Sequence, residues 1–373
     1  MKYVDRPELG EHATFVPNKK LPVYNWFYYK EGFSRDIVFH LIERFQIGKG
    51  NTVLDPFAGS GTTLLACKEK GIDSIGFDAS ELAVFASNVK IGNYDLENLR
   101  EEAKFIFTRK FFRLDTSNAP SIAKRAFSKF ALEDIQFFRG NIAEIENKNF
   151  FLLGLVNAAM KVSYVWKDGG VIKFKKHPAP PLRHLYRRII KNMIKSLEKK
   201  MPETSIDTKN ISSRAFVGDA RMLKLENESI DAIITSPPYL NNIDYTKVYA
   251  IEEWIAGLED RPAIRSWIGH TKSDITADGR PMTSVGTAYF EDIKKALEEM
   301  FRVLKKGGKA AIIVGNAYVN GEIINSDEVL AKQAEKIGFT TKEIDVVNKR
   351  FALEERTKKK GILRESMIIL EKN

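Results

Sequence analysis

Two periods of apolar residues alternate along the chain. Short apolar runs of strand length lie at 52–55, 74–78, 215–217, 230–235, 310–314 and 366–370. Between them, apolar positions recur at helical spacing. Ile37, Val38, Leu41, Ile42 and Phe45 place a helix over about 35–45, with Ser34 as its N-cap. Another helix follows the glycine turn at 59–61, and another carries Glu252, Glu253 and Trp254. Two more span 290–304 and about 326–337, the first stopped by Lys305-Lys306-Gly307-Gly308. Strands alternating with helices predict an α/β domain built on a doubly wound sheet of about seven strands. Residues 1–24 are polar and punctuated by proline, and read as an irregular arm.

One long segment breaks the alternation. Residues 91–213 are rich in helix formers and phenylalanine, with basic residues between, and predict a mainly helical insertion between the second and third strands. The chain then divides into 1–90 (arm and first half of the core), 91–213 (basic insertion) and 214–373 (second half of the core). From Lys167 to Lys200 eleven basic residues face only Asp168 and Glu198, and the stretch from Arg183 reads as a basic amphipathic helix. Lys173, Lys175, Lys176, Arg183, Arg187 and Arg188 are therefore candidates for a surface that tracks phosphates. A formal net charge of +10 supports a polyanionic partner such as nucleic acid.

Composition narrows the chemistry. Cys67 is the single cysteine, so neither an internal disulfide nor a cysteine-based zinc site can form. The five histidines are scattered, and no metal is expected. The first residues lack the apolar core of a signal peptide, and no apolar run reaches membrane-span length, so a soluble, cytoplasmic protein is expected.

The candidate chemistry sits at the ends of strands. The 230–235 run stops at Ser236-Pro237-Pro238-Tyr239. Proline cannot donate to a sheet ladder and fixes φ, so the chain leaves the sheet stiffly, presenting a hydroxyl, an undonated carbonyl and an aromatic plane. Such a ledge suits a flat heterocycle bearing an amino group. The 52–55 run enters Asp55-Pro56-Phe57-Ala58-Gly59-Ser60-Gly61-Thr62, whose glycines allow close backbone approach and whose following helix begins with free N–H groups. No lysine stands where a Walker loop needs one, which disfavours a nucleoside triphosphate, and Leu64 replaces the third glycine of a dinucleotide loop. Asp78, ending the next strand with Ala79 beside it, is placed to hold the hydroxyls of a ribose. The aromatic cluster from Tyr24 to Phe33, with Phe27 and Tyr28 at its centre, is a candidate wall for the same site.

Residues 55–62 and 236–239 together resemble the signatures of the S-adenosylmethionine-dependent amino-methyltransferases, which methylate exocyclic amines of bases in DNA. The resemblance implies the Rossmann-like methyltransferase sheet and S-adenosylmethionine as cofactor. It also implies cofactor contacts at Phe27, Tyr28, Ser34, Asp55, Phe57, Ala58, Gly59, Gly61, Thr62, Asp78, Ala79, Asp219 and Ala220. Ser236, Pro237, Pro238 and Tyr239 become the catalytic set, and Asn241, Asp244 and Tyr245 further substrate contacts. Serine at the first position of the proline block is typical of cytosine-N4 enzymes within the family, so N4-methylcytosine is the expected product, in DNA on family frequency. Methylation of structured (ribosomal) RNA, adenine-N6 methylation, and a non-catalytic nucleic-acid binding module stay open as alternatives. One departure bears on the DNA reading: most enzymes with this proline block place it before the glycine block, and here it follows.

Overall fold

The computed structural model describes residues 1–29, 32–168, 171–200, 210–240, 245–258, 284–319, 322–354 and 358–373. The first half of the core comprises β1 (Tyr3–Asp5), α1 (Arg35–Phe45), β2 (Thr52–Asp55), α2 (Thr62–Glu69), β3 (Asp73–Asp78) and α3 (Glu81–Ile91). There follow α4 (Leu96–Thr108), α5 (Ser121–Ala126), α6 (Lys129–Ile142), α7 (Lys148–Val162), β4 (Val165–Asp168), β5 (Val171–Phe174) and α8 (Leu182–Lys200). The remainder is β6 (Ser213–Val217), β7 (Ile230–Thr235), α9 (Tyr245–Ala256), α10 (Ser284–Val303), β8 (Leu304–Gly315), β9 (Ala317–Val319), β10 (Glu322–Ile324), α11 (Ser326–Ile337), β11 (Phe339–Glu354) and β12 (Lys358–Lys372).

Eight strands form one sheet in the order β1-β11-β12-β8-β7-β2-β3-β6. Strands β6, β3, β2, β7 and β8 run parallel, β12 is antiparallel to both of its neighbours, and β1 joins the far edge parallel to β11. This is a doubly wound α/β sheet, with β1 as an added edge strand. The arm expected to be irregular therefore contributes to the sheet, and three short 3₁₀ turns carry the chain from it to α1.

Alternation along the central strands sends apolar side chains to both faces. Leu54, Ile233, Ile312 and Ile368 join α10 and α11 on one face, while Val53, Ala232, Ile234, Ala311 and Ile313 join α1 on the other. Chain order reverses between β2, which leads on to β3 and β6, and β7, which leads on to β8. A crevice opens at the carboxyl ends of strands flanking such a reversal.

Among the described residues between α3 and β6 are five helices and the two-stranded ribbon β4–β5. Helix α7 is apolar almost all round, and a Cβ on its Gly154 would lie 2.4 Å from Ile190 of α8, so the two helices cross closely. Helix α8 buries Leu185, Tyr186, Ile190 and Met193 and exposes Arg187, Arg188 and Lys191. These helices share one hydrophobic cluster with α2, α3, α9 and the aromatic segment at 23–27.

Candidate active site

The site is built around Asp55, the last residue of β2. Its Oδ2 accepts from Thr63 Oγ1 at 2.6 Å, and its Oδ1 accepts from Thr235 Oγ1 at 2.7 Å and from the Phe57 N–H at 3.1 Å. One buried carboxylate thus ties the end of β2 to the first turn of α2 and to the end of β7. Burial pushes its pKa up to about 6, although all three donors oppose the shift. Its oxygens are engaged by the protein, so Asp55 holds the loops in register with each other.

The glycine block wraps the space beyond. Gly59 and Gly61 have φ of +50° and +80°. A Cβ at Gly61 would come within 2.2 Å of Ser87 Oγ, so only glycine fits there. Asp78 stands at the tip of β3, accepting from the Gly59 N–H at 2.8 Å and from the Ser80 N–H at 2.8 Å. Burial raises its carboxyl above the ordinary range, and the two N–H groups oppose this. The Ala58 N–H binds the Phe77 carbonyl at 2.9 Å, Phe57 is half-buried, and Ala79 is partly exposed beside Asp78.

The N-terminal segment supplies the facing wall, with three departures from expectation. Ser34 precedes α1 but makes no side-chain cap. The capping acceptor is Asn18, whose Oδ1 takes the Arg35 N–H at 2.9 Å while its Nδ2 donates to the Phe33 carbonyl at 3.0 Å and reaches Thr62 Oγ1 at 3.4 Å. Released from capping, the Ser34 hydroxyl is buried without a protein partner among the described residues. Secondly, Phe27 is buried in the core and Tyr28 points outward, packed edge-on to Phe15 beneath Lys19. The ring that lies against the glycine loop is Tyr29, 3.3 Å from where a Gly59 Cβ would be, and it stacks on Tyr249 of α9 at 5.7 Å. Thirdly, the buried Lys90 of α3 donates to the Phe27 carbonyl at 3.2 Å and Ser60 Oγ at 3.1 Å, bridging wall and loop. Burial lowers its pKa to about 7. A neutral amine has two N–H donors, which matches its two acceptors.

The proline block leaves β7 next to this loop. Tyr239 O–H donates to Glu365 of β12 at 2.8 Å, and its ring packs on Gly315, where a Cβ would meet Cε2 at 2.8 Å. Burial and Glu365 hold the Tyr239 hydroxyl well above its ordinary pKa, so it stays protonated. The Pro238 carbonyl accepts from Tyr289 O–H at 2.8 Å, and the Pro237 carbonyl takes no hydrogen bond among the described residues. Ser236, at the carboxyl end of the central strand β7, is half-buried and its side chain hydrogen-bonds to Tyr239. Asn241 and Asp244 lie outside the described residues, and Tyr245 opens α9.

Asp219 is engaged by Arg221, whose Nη2 lies 2.6 Å from it and whose other arm reaches Asp292 at 2.7 Å; Ala220 is buried. Of the basic candidates, Arg183 is exposed but ion-paired with Asp134 at 2.5 Å and lies over the Phe111 ring, which ties it to the helical core. Lys173, Lys175, Lys176 and Arg188 are exposed, and so is Arg187, 5.8 Å from Phe107. Cys67 is buried in α2 with its thiol raised far above the ordinary value, away from the crevice.

Comparison with known proteins bears on this geometry. Residues 13–88, the stretch holding Asn18, Tyr29, Ser34, Asp55, the glycine block and Asp78, match the N6_N4_Mtase family model, DNA methylase. The Type II methyltransferase M.BsoBI of Geobacillus stearothermophilus is 28% identical over 91% of this chain and 82% of its own length. The chain is an S-adenosylmethionine-dependent methyltransferase, similar over residues 13–88 to the DNA methylase family. The Type II methyltransferase M.AvaI of Nostoc sp. is 25% identical over 90% of the chain and 83% of its own length. Among solved structures, TrmN from Thermus thermophilus aligns with 91% of this chain and 49% of its own at 12% identity and a TM-score of 0.36. TTHA0409 from the same species, described as a DNA modification methylase in complex with S-adenosylmethionine, aligns with 42% of this chain and 51% of its own at 16% identity and a TM-score of 0.26.

For the methyltransferase, the orphaned Ser34 hydroxyl beside the glycine block and the absence of a lysine at the Walker position both fit a nucleoside carrying an amino acid in place of phosphates.

Proposed function

We propose that this methyltransferase methylates the exocyclic amine of a base in DNA, with cytosine N4 as the acceptor. The observation that carries the reading is the Thr63–Asp55–Thr235 linkage, which fixes the glycine cradle and the proline ledge to one buried carboxylate. S-adenosylmethionine supplies an electrophilic methyl group on a sulfonium when bound, and catalysis is then positioning and local electrostatics. Gly59, Gly61, Ser34 and Asp78 hold the cofactor, Asp78 toward the ribose, with Phe57, Ala58, Thr62, Ala79, Asp219 and Ala220 around it. The Ser236 hydroxyl and the Pro237 carbonyl accept the two amine N–H bonds of the base. That arrangement favours a pyramidal nitrogen whose lone pair is free to attack. Tyr239 supports the ring of a base drawn out of its stack. No covalent nucleophile is required, and the buried Cys67 could not supply one for attack at a ring carbon.

DNA follows from the family description, and cytosine from the serine at position 236, which within the family accompanies N4 chemistry. The test is Ser236→Ala and Tyr239→Ala in purified protein. Each lowers turnover by at least about a hundredfold, the first by loss of an oriented hydrogen-bond partner and the second by loss of the ring that positions the base, with the Kd for S-adenosylmethionine unchanged. Near-normal turnover in either variant removes that residue from its role.

A further inference from the structure

The ribbon β4–β5 has two unlike faces. Cross-strand pairs set Val165 opposite Phe174 and Lys167 opposite Ile172 on one side, and Trp166 opposite Lys173 on the other. The inner side is joined to the active site. The Lys167 ammonium lies 3.9 Å above the Tyr249 ring and pairs with Glu252, Tyr249 stacks on Tyr29, and Tyr29 covers Gly59. The ribbon therefore stands beside the mouth of the site, against the helix that follows the proline block. Its outer side exposes Trp166 at 65%, whereas Trp26 and Trp254 are 2% and 5% exposed. The register sets the exposed Lys173 opposite Trp166, and the exposed Lys175, two residues on, lies on the same side of the ribbon. A broad, flat aromatic between ammonium groups is poorly suited to a folded apolar partner, which would desolvate the lysines. It is well suited to a polyanion that also presents flat faces.

We propose that this outer face is a contact surface for the substrate DNA, with the Trp166 indole stacked on a base neighbouring the target and Lys173 and Lys175 on the flanking phosphates. Withdrawal of a target base from a duplex leaves its neighbours with an exposed face, and an indole held by a ribbon at the site mouth covers one of them. The inference rests on the DNA reading above and assigns Trp166 a role in substrate affinity, outside the methyl-transfer step itself.

The experiment compares wild type, Trp166→Ala, Trp166→Phe and the Lys173→Gln/Lys175→Gln double variant. A fluorescein-labelled duplex of about 30 base pairs reports binding by anisotropy at several salt concentrations, and unmethylated plasmid DNA reports transfer. Trp166→Ala raises the duplex Kd and the KM for DNA about tenfold, as loss of one base–aromatic stack predicts. The Kd for S-adenosylmethionine and the slope of log K against log salt stay at wild-type values. Trp166→Phe recovers most of the affinity. The double variant lowers the salt slope by about 1.8, about 0.9 for each phosphate contact. A Trp166→Ala protein that binds and methylates DNA as wild type does overturns the inference and leaves the DNA reading standing. Altered self-association with unchanged DNA binding overturns it too, in favour of a protein interface. Wild type that neither binds nor methylates duplex DNA overturns the DNA reading itself.

Discussion

Replacing Asp55 with asparagine separates its charge from its shape. The side chain keeps its size and one acceptor, so Oδ1 can still receive the Thr235 hydroxyl and the Phe57 N–H. At the Oδ2 position an NH₂ group would face Thr63, whose hydroxyl must turn away, toward the Ile234 carbonyl now 3.5 Å distant. In wild type the carboxyl pKa rises from 3.8 to about 6 on folding. Between those values the folded protein keeps a proton that the unfolded chain has released. Stability contributed by this group is therefore fully present below about pH 4 and declines as the pH rises to 6, by about 3 kcal/mol in all. Asparagine does not titrate. The gap in unfolding free energy between wild type and Asp55→Asn should accordingly shift by about 3 kcal/mol in favour of the variant between pH 4 and 7. Urea titrations at half-unit pH steps read this directly. The same variant should raise the KM for S-adenosylmethionine about tenfold through loss of one charge-assisted hydrogen bond that sets the loop. A stability gap that is flat across that pH range would refute the assignment of Asp55 as the buried acid joining the two loops.

Three further substitutions test the surrounding geometry. Gly61→Ala forces a side chain into the left-handed region and against Ser87, and should cost about 2–5 kcal/mol in urea unfolding together with most of the cofactor affinity. Gly315→Ala pushes on the Tyr239 ring, and should lower kcat severalfold or more while the Kd for S-adenosylmethionine, measured calorimetrically, holds. Lys90→Met removes a buried amine whose pKa falls from 10.5 to about 7; the unfolded chain holds that proton through the interval, so wild-type stability rises with pH across it by roughly 5 kcal/mol. The variant should lack that rise, as unfolding measured from pH 7 to 10 will show.

Legibility in the sequence followed locality. The glycine and proline blocks were readable because each is a continuous stretch whose chemistry lies in its own backbone constraints, and Asp55 and Asp78 were readable because strand tips have fixed places in a doubly wound sheet. Contacts between distant residues were not. Thr63 and Thr235 look like ordinary core threonines until the sheet sets them 2.6 and 2.7 Å from one carboxylate. Asn18 caps a helix seventeen residues away, displacing Ser34, which has the better local credentials. Tyr28 and Tyr29 are adjacent tyrosines, and only the turn leading from 26 decides which of them covers Gly59. Among the strands, β11 was obscured because Lys342, Glu343, Asp345, Lys349 and Arg350 interrupt its apolar run near the edge of the sheet, and β1 because three residues carry no period at all. Helix boundaries fared better: α11 spans Ser326–Ile337 as its apolar spacing indicates.

The most direct test of the central claim is the identity of the methylated product. Purified protein is incubated with radiolabelled S-adenosylmethionine and, in parallel, with unmethylated genomic DNA and total RNA, followed by digestion to nucleosides and mass spectrometry. Label is expected in DNA as N4-methylcytosine, and is lost in Ser236→Ala. Label in DNA as N6-methyladenine would contradict the cytosine assignment, label confined to RNA would contradict the DNA assignment, and absence of label from both would contradict the proposed transfer.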